Sequence, residues 1–475
     1  MNRIGGPKNL PCSNRAKGAD GKRSTPRILS AVLAALFFAT PSTSFARELR
    51  LFDHDGWKLS LTGFFELDAI SDSTRSFAES ANNGPVSRSD TAAGQSGRTQ
   101  FSIRDSRIGF ALVAPDADGW KTKAWLEFDF MGTTPSPGSA SGTSESNFYN
   151  NPSLRLRHAS VTAESGGWQL LAGQTWNLFG WQPYYFIPSL QAPAFPGQAF
   201  SRTAQLRVTK ATDLSSDVDL HGAFGVMRPP QRDSEYPGLE GGLRFALNSR
   251  KSGFTGGAIG ARKAQPMSLG LSGALREFAI PRNAANPDGE LVHYPGSALA
   301  VDFLLPVLAA RGDQDVGGSL TLGGEFTTGR GYGDEFPGWT GNLANPLNSV
   351  KTAPQANANL DGGLGDFDSA GAFRLVDLNT ANLYFQYHLA TESRAWISGG
   401  VSRVASDNIQ VFTTAGKTSA GSVAYSKIRA AFLNLAHDLN EQLRIGVEFA
   451  HESTNYVDGN VGHNNRYQAS VWFIF

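Results

Sequence analysis

The eleven residues Asn465-Arg466-Tyr467-Gln468-Ala469-Ser470-Val471-Trp472-Phe473-Ile474-Phe475 decide the fold. Side chains of a strand alternate between its two faces. Tyr467, Ala469, Val471, Phe473 and Phe475 therefore share one face, and Gln468, Ser470, Trp472 and Ile474 share the other. The first face is apolar along its length and aromatic at both ends. A strand of a membrane barrel needs such a face, because its middle meets hydrocarbon and its ends meet the two interfaces. The rival reading is the edge strand of a soluble sandwich that happens to come last.

Working back from this segment, the same alternation recurs. Leu443, Ile445, Val447 and Phe449 alternate with Arg444, Gly446 and Glu448, and Leu383, Phe385, Tyr387 and Leu389 share a face. Strands are expected over 57–69, 98–113, 120–131, 153–164, 168–176, 203–211, 218–227, 238–247, 267–278, 298–310, 316–328, 373–389, 394–405 and 423–439, then from 443 and to the end. The stretch 253–266 is a seventeenth candidate that can belong to a neighbour, so sixteen strands are expected, with eighteen as the second choice. In 98–113 the apolar parity changes from Phe101 and Ile103 to Ile108, Phe110 and Leu112, which places a β-bulge near 104–106. Short turns alternate with long polar loops such as 72–96, 329–371 and 406–421, and 457–464 joins the last two strands. The acidic, Gly-rich stretch 357–368 reads as a solvent-exposed loop. The fold class is an all-β, transmembrane, antiparallel up-and-down barrel, because only closure satisfies every backbone polar group in lipid.

The front of the chain agrees. Residues 1–27 are polar and basic, 28–40 form an apolar run of thirteen residues, and Ser44-Phe45-Ala46 is a small-x-small cleavage site. Together they read as a secretory signal peptide over 1–46, with a barrel domain over 47–475. The run is too short to span a bilayer, which takes about 20 apolar residues. Of 42 basic and 42 acidic residues, seven and one fall in 1–46, which leaves 35 and 41, a net charge of −6. That argues against a nucleic-acid partner. The single cysteine, Cys12, lies in the leader, so no disulfide or thiolate metal site is expected beyond it. The closing strand with its terminal Phe475 resembles the insertion signal of bacterial outer-membrane barrels, which implies a Gram-negative outer membrane with its lipid and lipopolysaccharide as surroundings.

The segment 177–200 (NLFGWQPYYFIPSLQAPAFPGQAF) holds seven aromatics and four prolines. It is too apolar for a surface loop, and its prolines bar it from a central strand. Two readings stand: a loop folded inward that narrows a channel through Trp181, Tyr184, Tyr185, Phe186 and Phe195, or a loop whose aromatics dock on a neighbouring subunit. The strands around it carry charges opposite their apolar faces: Arg155 and Arg157, Arg207, and Lys123, Glu127 and Asp129, with Arg104 and Arg107 near the bulge and Arg202 after the loop. A Lys or Arg facing lipid at mid-depth costs ~2–4 kcal/mol, so these residues are expected to face the lumen. There they form either an electropositive strip that attracts carboxylates or a network neutralised by Glu127, Asp129, Asp105 and Glu448.

Four segments in order, Trp125-Leu126-Glu127-Phe128-Asp129-Phe130, Arg155-Leu156-Arg157-His158-Ala159, Gly173-Gln174-Thr175-Trp176 and Gln205-Leu206-Arg207, resemble the DcaP-like trimeric porins. The resemblance implies sixteen strands, an inward loop, a homotrimer and passage of small anionic solutes such as dicarboxylates. Some members carry an N-terminal helical extension, for which 47–56 leaves no room.

Other functions compete. A sugar channel would use an aromatic ladder, which Trp181, Tyr184 and Tyr185 could supply, and a phosphate channel would use the arginines. An outer-membrane enzyme needs a nucleophile beside a histidine or carboxylate, but His158 and His388 fall within strands and His293 and His463 in loops. No zinc spacing occurs, and Gly416-Lys417-Thr418 lacks the first glycine of a phosphate loop. An adhesive barrel with a blocked lumen is the remaining rival. No enzyme activity, cofactor or metal is expected.

Overall fold

The computed structural model describes residues 49–77, 84–132, 153–180, 187–191, 195–231, 234–254, 264–282, 289–312, 315–336, 338–343, 360–389, 394–412 and 423–475. The expected signal peptide lies outside the described residues.

The chain folds as one antiparallel sheet that closes on itself. In order, its strands are β1 (Leu49–His54), β2 (Trp57–Asp72), β3 (Arg98–Ser102), β4 (Arg107–Val113), β5 (Lys121–Gly132), β6 (Ser153–Ser165), β7 (Trp168–Trp176), β8 (Arg202–Asp213), β9 (Val218–Met227) and β10 (Gly238–Ser252). There follow β11 (Gln265–Pro281), β12 (Leu291–Leu308) and β13 (Leu320–Arg330), then a small separate hairpin of β14 (Gly365–Phe367) and β15 (Phe373–Leu375). The sheet resumes with β16 (Asp377–His388), β17 (Ala395–Ala405), β18 (Tyr425–Asp438), β19 (Leu443–Tyr456) and β20 (Val461–Ile474). The sheet counts 18 segments, but β3 and β4 are halves of one broken strand and β1 only doubles back on β2, so the barrel has sixteen strands.

Closure comes from β2 pairing with β20, from Phe64 opposite Ile474 to Asp72 opposite Arg466. Gly63 and Phe475 exchange both backbone hydrogen bonds, at 3.0 and 3.1 Å, where β1 takes over the edge of β2. Tyr467, Val471 and Phe473 point outward and are exposed, while Gln468, Ser470, Trp472 and Ile474 point inward and are buried. The same outward band carries Leu67, Phe101, Leu154, Leu206, Leu275, Leu299, Val401 and Leu433, all about half exposed or more. A water-soluble sandwich would bury such a belt; a barrel in lipid presents it.

The interior is packed rather than empty. Large side chains from the connections, among them Phe179, Tyr332, Phe336 and Trp339, fill the lumen against small wall residues Ala274, Ala298 and Ala300 on β11 and β12. Small residues at those inward positions leave the volume that the loops occupy.

Several expectations change in detail. The strand expected from 373 begins at Asp377, because Phe373–Leu375 peels away to pair with Gly365–Phe367. The stretch expected as an exposed loop, 357–368, is instead mostly inside: Leu360, Leu364 and Phe367 bury against Phe278, Ile280 and Phe373. Its acidic look misled because the apolar side chains between the acids do the packing; residues 357–359 lie outside the described residues. The connection expected over 457–464 shrinks to a tight turn, with β20 already starting at Val461. The doubtful stretch 253–266 adds no strand among its described residues, and Gln265 and Pro266 belong to β11.

Candidate functional site

The segment 177–200 leaves β7 and crosses the interior, and its described parts are buried. Carboxylates on the inner face of the opposite wall receive it. The Glu240 carboxylate on β10 accepts the backbone N–H of Leu178 and Phe179, each at 2.8 Å. Ser272 Oγ on β11 accepts from Gly180 N–H at 2.9 Å. On the far side, Glu448 on β19 accepts from Ser189 Oγ at 2.8 Å, Leu190 N–H at 2.7 Å and Gln191 Nε2 at 2.7 Å. The return leg donates Ala199 N–H to Glu325 on β13 at 2.8 Å. A prolyl, irregular segment cannot satisfy its own amides, so wall carboxylates do it, and charged acceptors make the stronger bonds. Gly197 takes φ +81° beside β17, and a side chain there would meet the Arg403 carbonyl oxygen at 2.4 Å.

A second segment braces the first. Arg276 on β11 binds both Asp334 and Glu335. The Glu335 carboxylate accepts Asn177 Nδ2 at 3.0 Å, and its carbonyl accepts Phe200 N–H at 2.8 Å. Both ends of the crossing loop are therefore tied to one buried ion-pair cluster.

The arginines divide into two kinds. Arg155 clamps Asp129 through two bonds of 3.0 and 2.6 Å. Arg157 binds Glu127 at 2.5 Å and Asp129 at 3.1 Å, and is 1% exposed. Arg157 is the extra residue of a bulge in β6, since Glu127 opposes His158 while Phe128 opposes Leu156. The bulge turns Arg157 and His158 inward together. Its sequence sign is a parity change from Leu154 and Leu156 to Val161, and sequence reading overlooked it. His158 stacks on Trp125 at 4.6 Å and hydrogen-bonds Thr175 at 2.9 Å. Arg202 lies over the Trp176 ring at 4.5 Å, and Arg107 over the Phe64 ring at 5.3 Å. Arg104 braces the corner between β3 and β4, donating to the carbonyls of Phe130 at 3.1 Å and Gly132 at 3.0 Å. That corner is the bulge expected near 104–106.

Arg207 differs. It lines a cavity of about 610 Å³ at the short-turn end, together with Lys121, His221, Arg244 and Glu164. Leu178, the first residue of the crossing loop to meet Met227, closes one side of it. A smaller recess of about 190 Å³ begins on the other side with Asn177, Arg202, Arg228 and Arg276. Arg244, His221 and Lys121 escaped the sequence reading because each stands in a strand of otherwise ordinary alternation; only the shared cavity joins them. Lys123 is exposed on β5 and lines neither recess. Phe195 packs on Phe432, with ring centroids 5.0 Å apart. Trp181, Tyr184, Tyr185 and Phe186 lie outside the described residues.

The crystal structure of the outer membrane channel DcaP of Acinetobacter baumannii superposes over 91% of this chain and 100% of its own, with a TM-score of 0.60 and 16% identity. This is the fold of an outer-membrane porin. An anion-selective porin from Comamonas acidovorans matches over 88% of this chain and 100% of its own, at 10% identity and a TM-score of 0.48. OprB of Pseudomonas putida matches over 88% and 94%, at 10% identity and the same score. No family model matches the sequence, and no curated protein does.

Proposed function

We propose that this chain is a DcaP-like outer-membrane porin that passes small hydrophilic anions, carboxylates foremost. It is a channel rather than a catalyst. One observation carries the reading: the crossing loop is pinned by Glu240, Glu325 and Glu448, which leaves a cavity bordered by Lys121, Arg207 and Arg244 on its short-turn side. Those three carboxylates are committed to loop amides. The cations of the cavity face its open volume, where fixed guanidiniums concentrate carboxylates and bind them bidentately. On β5, β6 and β8, Arg155, Arg157 and Arg202 outnumber Glu127 and Asp129 by three to two, so the paired network still carries a net charge of +1. The pore-lining roles of Arg104, Arg107, Lys123, Glu127, Asp129, Arg155, Arg157, Arg202 and Arg207 belong to this proposal, as do export through a signal peptide over 1–46 and assembly as a homotrimer in lipid and lipopolysaccharide.

Reversal potentials in planar bilayers test it, with gradients of chloride, acetate and succinate salts. The expected result is a permeability ratio above one for anions, rising for the dicarboxylate. Cation preference, or silence in the bilayer, would overturn it.

A further inference from the structure

The break between β3 and β4 does more than change parity. Glu66 and Asp68 point inward from β2, and the break turns Asp105 inward beside them. Ser106 locks the corner, its Oγ accepting the Glu66 N–H at 2.9 Å. One carboxylate oxygen from each of Glu66, Asp68 and Asp105 lies within 4.8 Å of the others. That span is twice the ~2.4 Å calcium–oxygen distance, so all three oxygens can reach one ion.

Proximity of acids alone means little, but these oxygens are also unanswered. Glu66 is 2% exposed, and neither of its carboxylate oxygens has a hydrogen bond of good geometry; the Trp472 indole, itself unbonded, is the neutral donor that acts on it. Oδ2 of Asp68 and Oδ2 of Asp105 have none either, and both residues are buried. By contrast, Oδ1 of Asp68 accepts from Ser470 Oγ at 2.5 Å and Gln468 Nε2 at 3.0 Å. The protein thus satisfies Oδ1 of Asp68 and leaves at least one oxygen of each carboxylate bare. Buried carboxylates are paired or coordinate metals.

Charge count gives the class of ligand. Arg107 acts on both Glu66 and Asp105; Arg155 also acts on Asp105, but Asp129 clamps it and offsets its charge. Arg466 acts on Asp68, but its guanidinium is held bidentately by Asp72 at 2.9 Å on both bonds. Three carboxylates against Arg107 leave −2. We infer that Glu66, Asp68 and Asp105 form a hard-oxygen site for one divalent cation of calcium type, set in the barrel wall at the β3–β4 bulge. The ion would stitch β2 to the broken strand beside the closing seam.

The adjacent indole supplies the probe. Trp472 on β20 is the cross-strand partner of Glu66 and is fully buried. Chelator-stripped, lipopolysaccharide-free folded protein in detergent is titrated with Tb³⁺ under tryptophan excitation, then with Ca²⁺. The expected result is sensitised emission at one site per chain, displaced by Ca²⁺, and a higher unfolding midpoint with Ca²⁺ than with chelator. Asp105→Asn and Glu66→Gln should each weaken binding at least tenfold and abolish the Ca²⁺ shift. Trp472→Phe should cut the emission and keep the shift. If wild-type protein shows neither emission nor a Ca²⁺-dependent midpoint, the carboxylates share protons instead and the inference fails. It also fails if the two carboxylate variants bind like wild type. No conductance is read, so either failure leaves the channel proposal intact.

Discussion

The wall built from β10 to β20 and the wall built from β5 to β9 use the same strand alphabet and end up differently. On the first, inward residues such as Glu240, Asp302, Glu325, Thr380, Ser398, Asn434, Glu448 and Gln468 are almost all fully buried. On the second, inward Arg207, Thr209 and His221 keep part of their surface free beside a cavity. Alternation along the strand is identical in kind. What differs is which side the loops lean on. Glu240, Glu325 and Glu448, opposite the loops, become acceptors for backbone amides; cations on the other side border a cavity. A polar residue inside a barrel therefore has no fixed meaning until its partner is known.

Four experiments bear on that contrast. The largest effect is expected at the buried ion pairs of β5 and β6, the filled end of the second wall. Arg157→Ala leaves Glu127 and Asp129 short of a buried partner and should cost about 3–5 kcal/mol, read as a lowered midpoint of thermal unfolding in detergent. Arg207→Ala should cost far less, since its guanidinium borders solvent; equal losses would erase the distinction drawn here. Second, Leu299→Lys places a charge on the lipid face and should cost about 2–4 kcal/mol in folding into vesicles. The same change at outward Leu433 tests whether the belt has one depth.

Third, Glu448→Ala frees Ser189, Leu190 and Gln191 together. Each lost bond to a charged group is worth about 1.5–3 kcal/mol. The loop tip should loosen, with larger and noisier conductance steps than wild type, whereas Arg207→Gln should keep the steps and lower the anion-to-cation permeability ratio several-fold. If both variants changed the same quantity, the two walls would not be doing different jobs.

The smallest effect lies at the β14–β15 hairpin. The Arg374 guanidinium, with the amides of Ala372 and Ala370, holds the Asp368 carboxyl below the usual carboxylate range. A lowered folded-state value means the contribution is present above the unfolded value of about 3.9 and is lost as pH falls through the folded one. Asp368→Asn should therefore speed amide exchange at Ala370 and Ala372 at pH 6, and the difference from wild type should shrink as the pH is lowered through the folded-state value.

The barrel was legible because lipid imposes a period. Tyr467, Val471 and Phe473 had to face outward, and a wet interior forced Gln468 and Ser470 the other way, so β20 could be read to its last residue. The bulge near Asp105 was legible for the same reason, since a parity change leaves a written trace. The inward course of 177–200 was one of the two readings its apolar, proline-rich sequence allowed, the other being contact with a neighbouring subunit. What it would lean against was not legible. Glu240, Glu325 and Glu448 are separated from the loop by dozens of residues or more, and nothing local marks a carboxylate as a receiver of distant amides. The same holds for Arg155 and Arg157, whose pairing with Asp129 and Glu127 depends on the register of β5 and β6. Sequence alone determined the alternation and the closure, because these follow from one solvent acting on every strand alike, and it left the strand count between sixteen and eighteen. Only the tertiary structure decided which wall is filled, which charges are spent and which remain, because side chains from distant strands compete for the same enclosed volume and the same few donors.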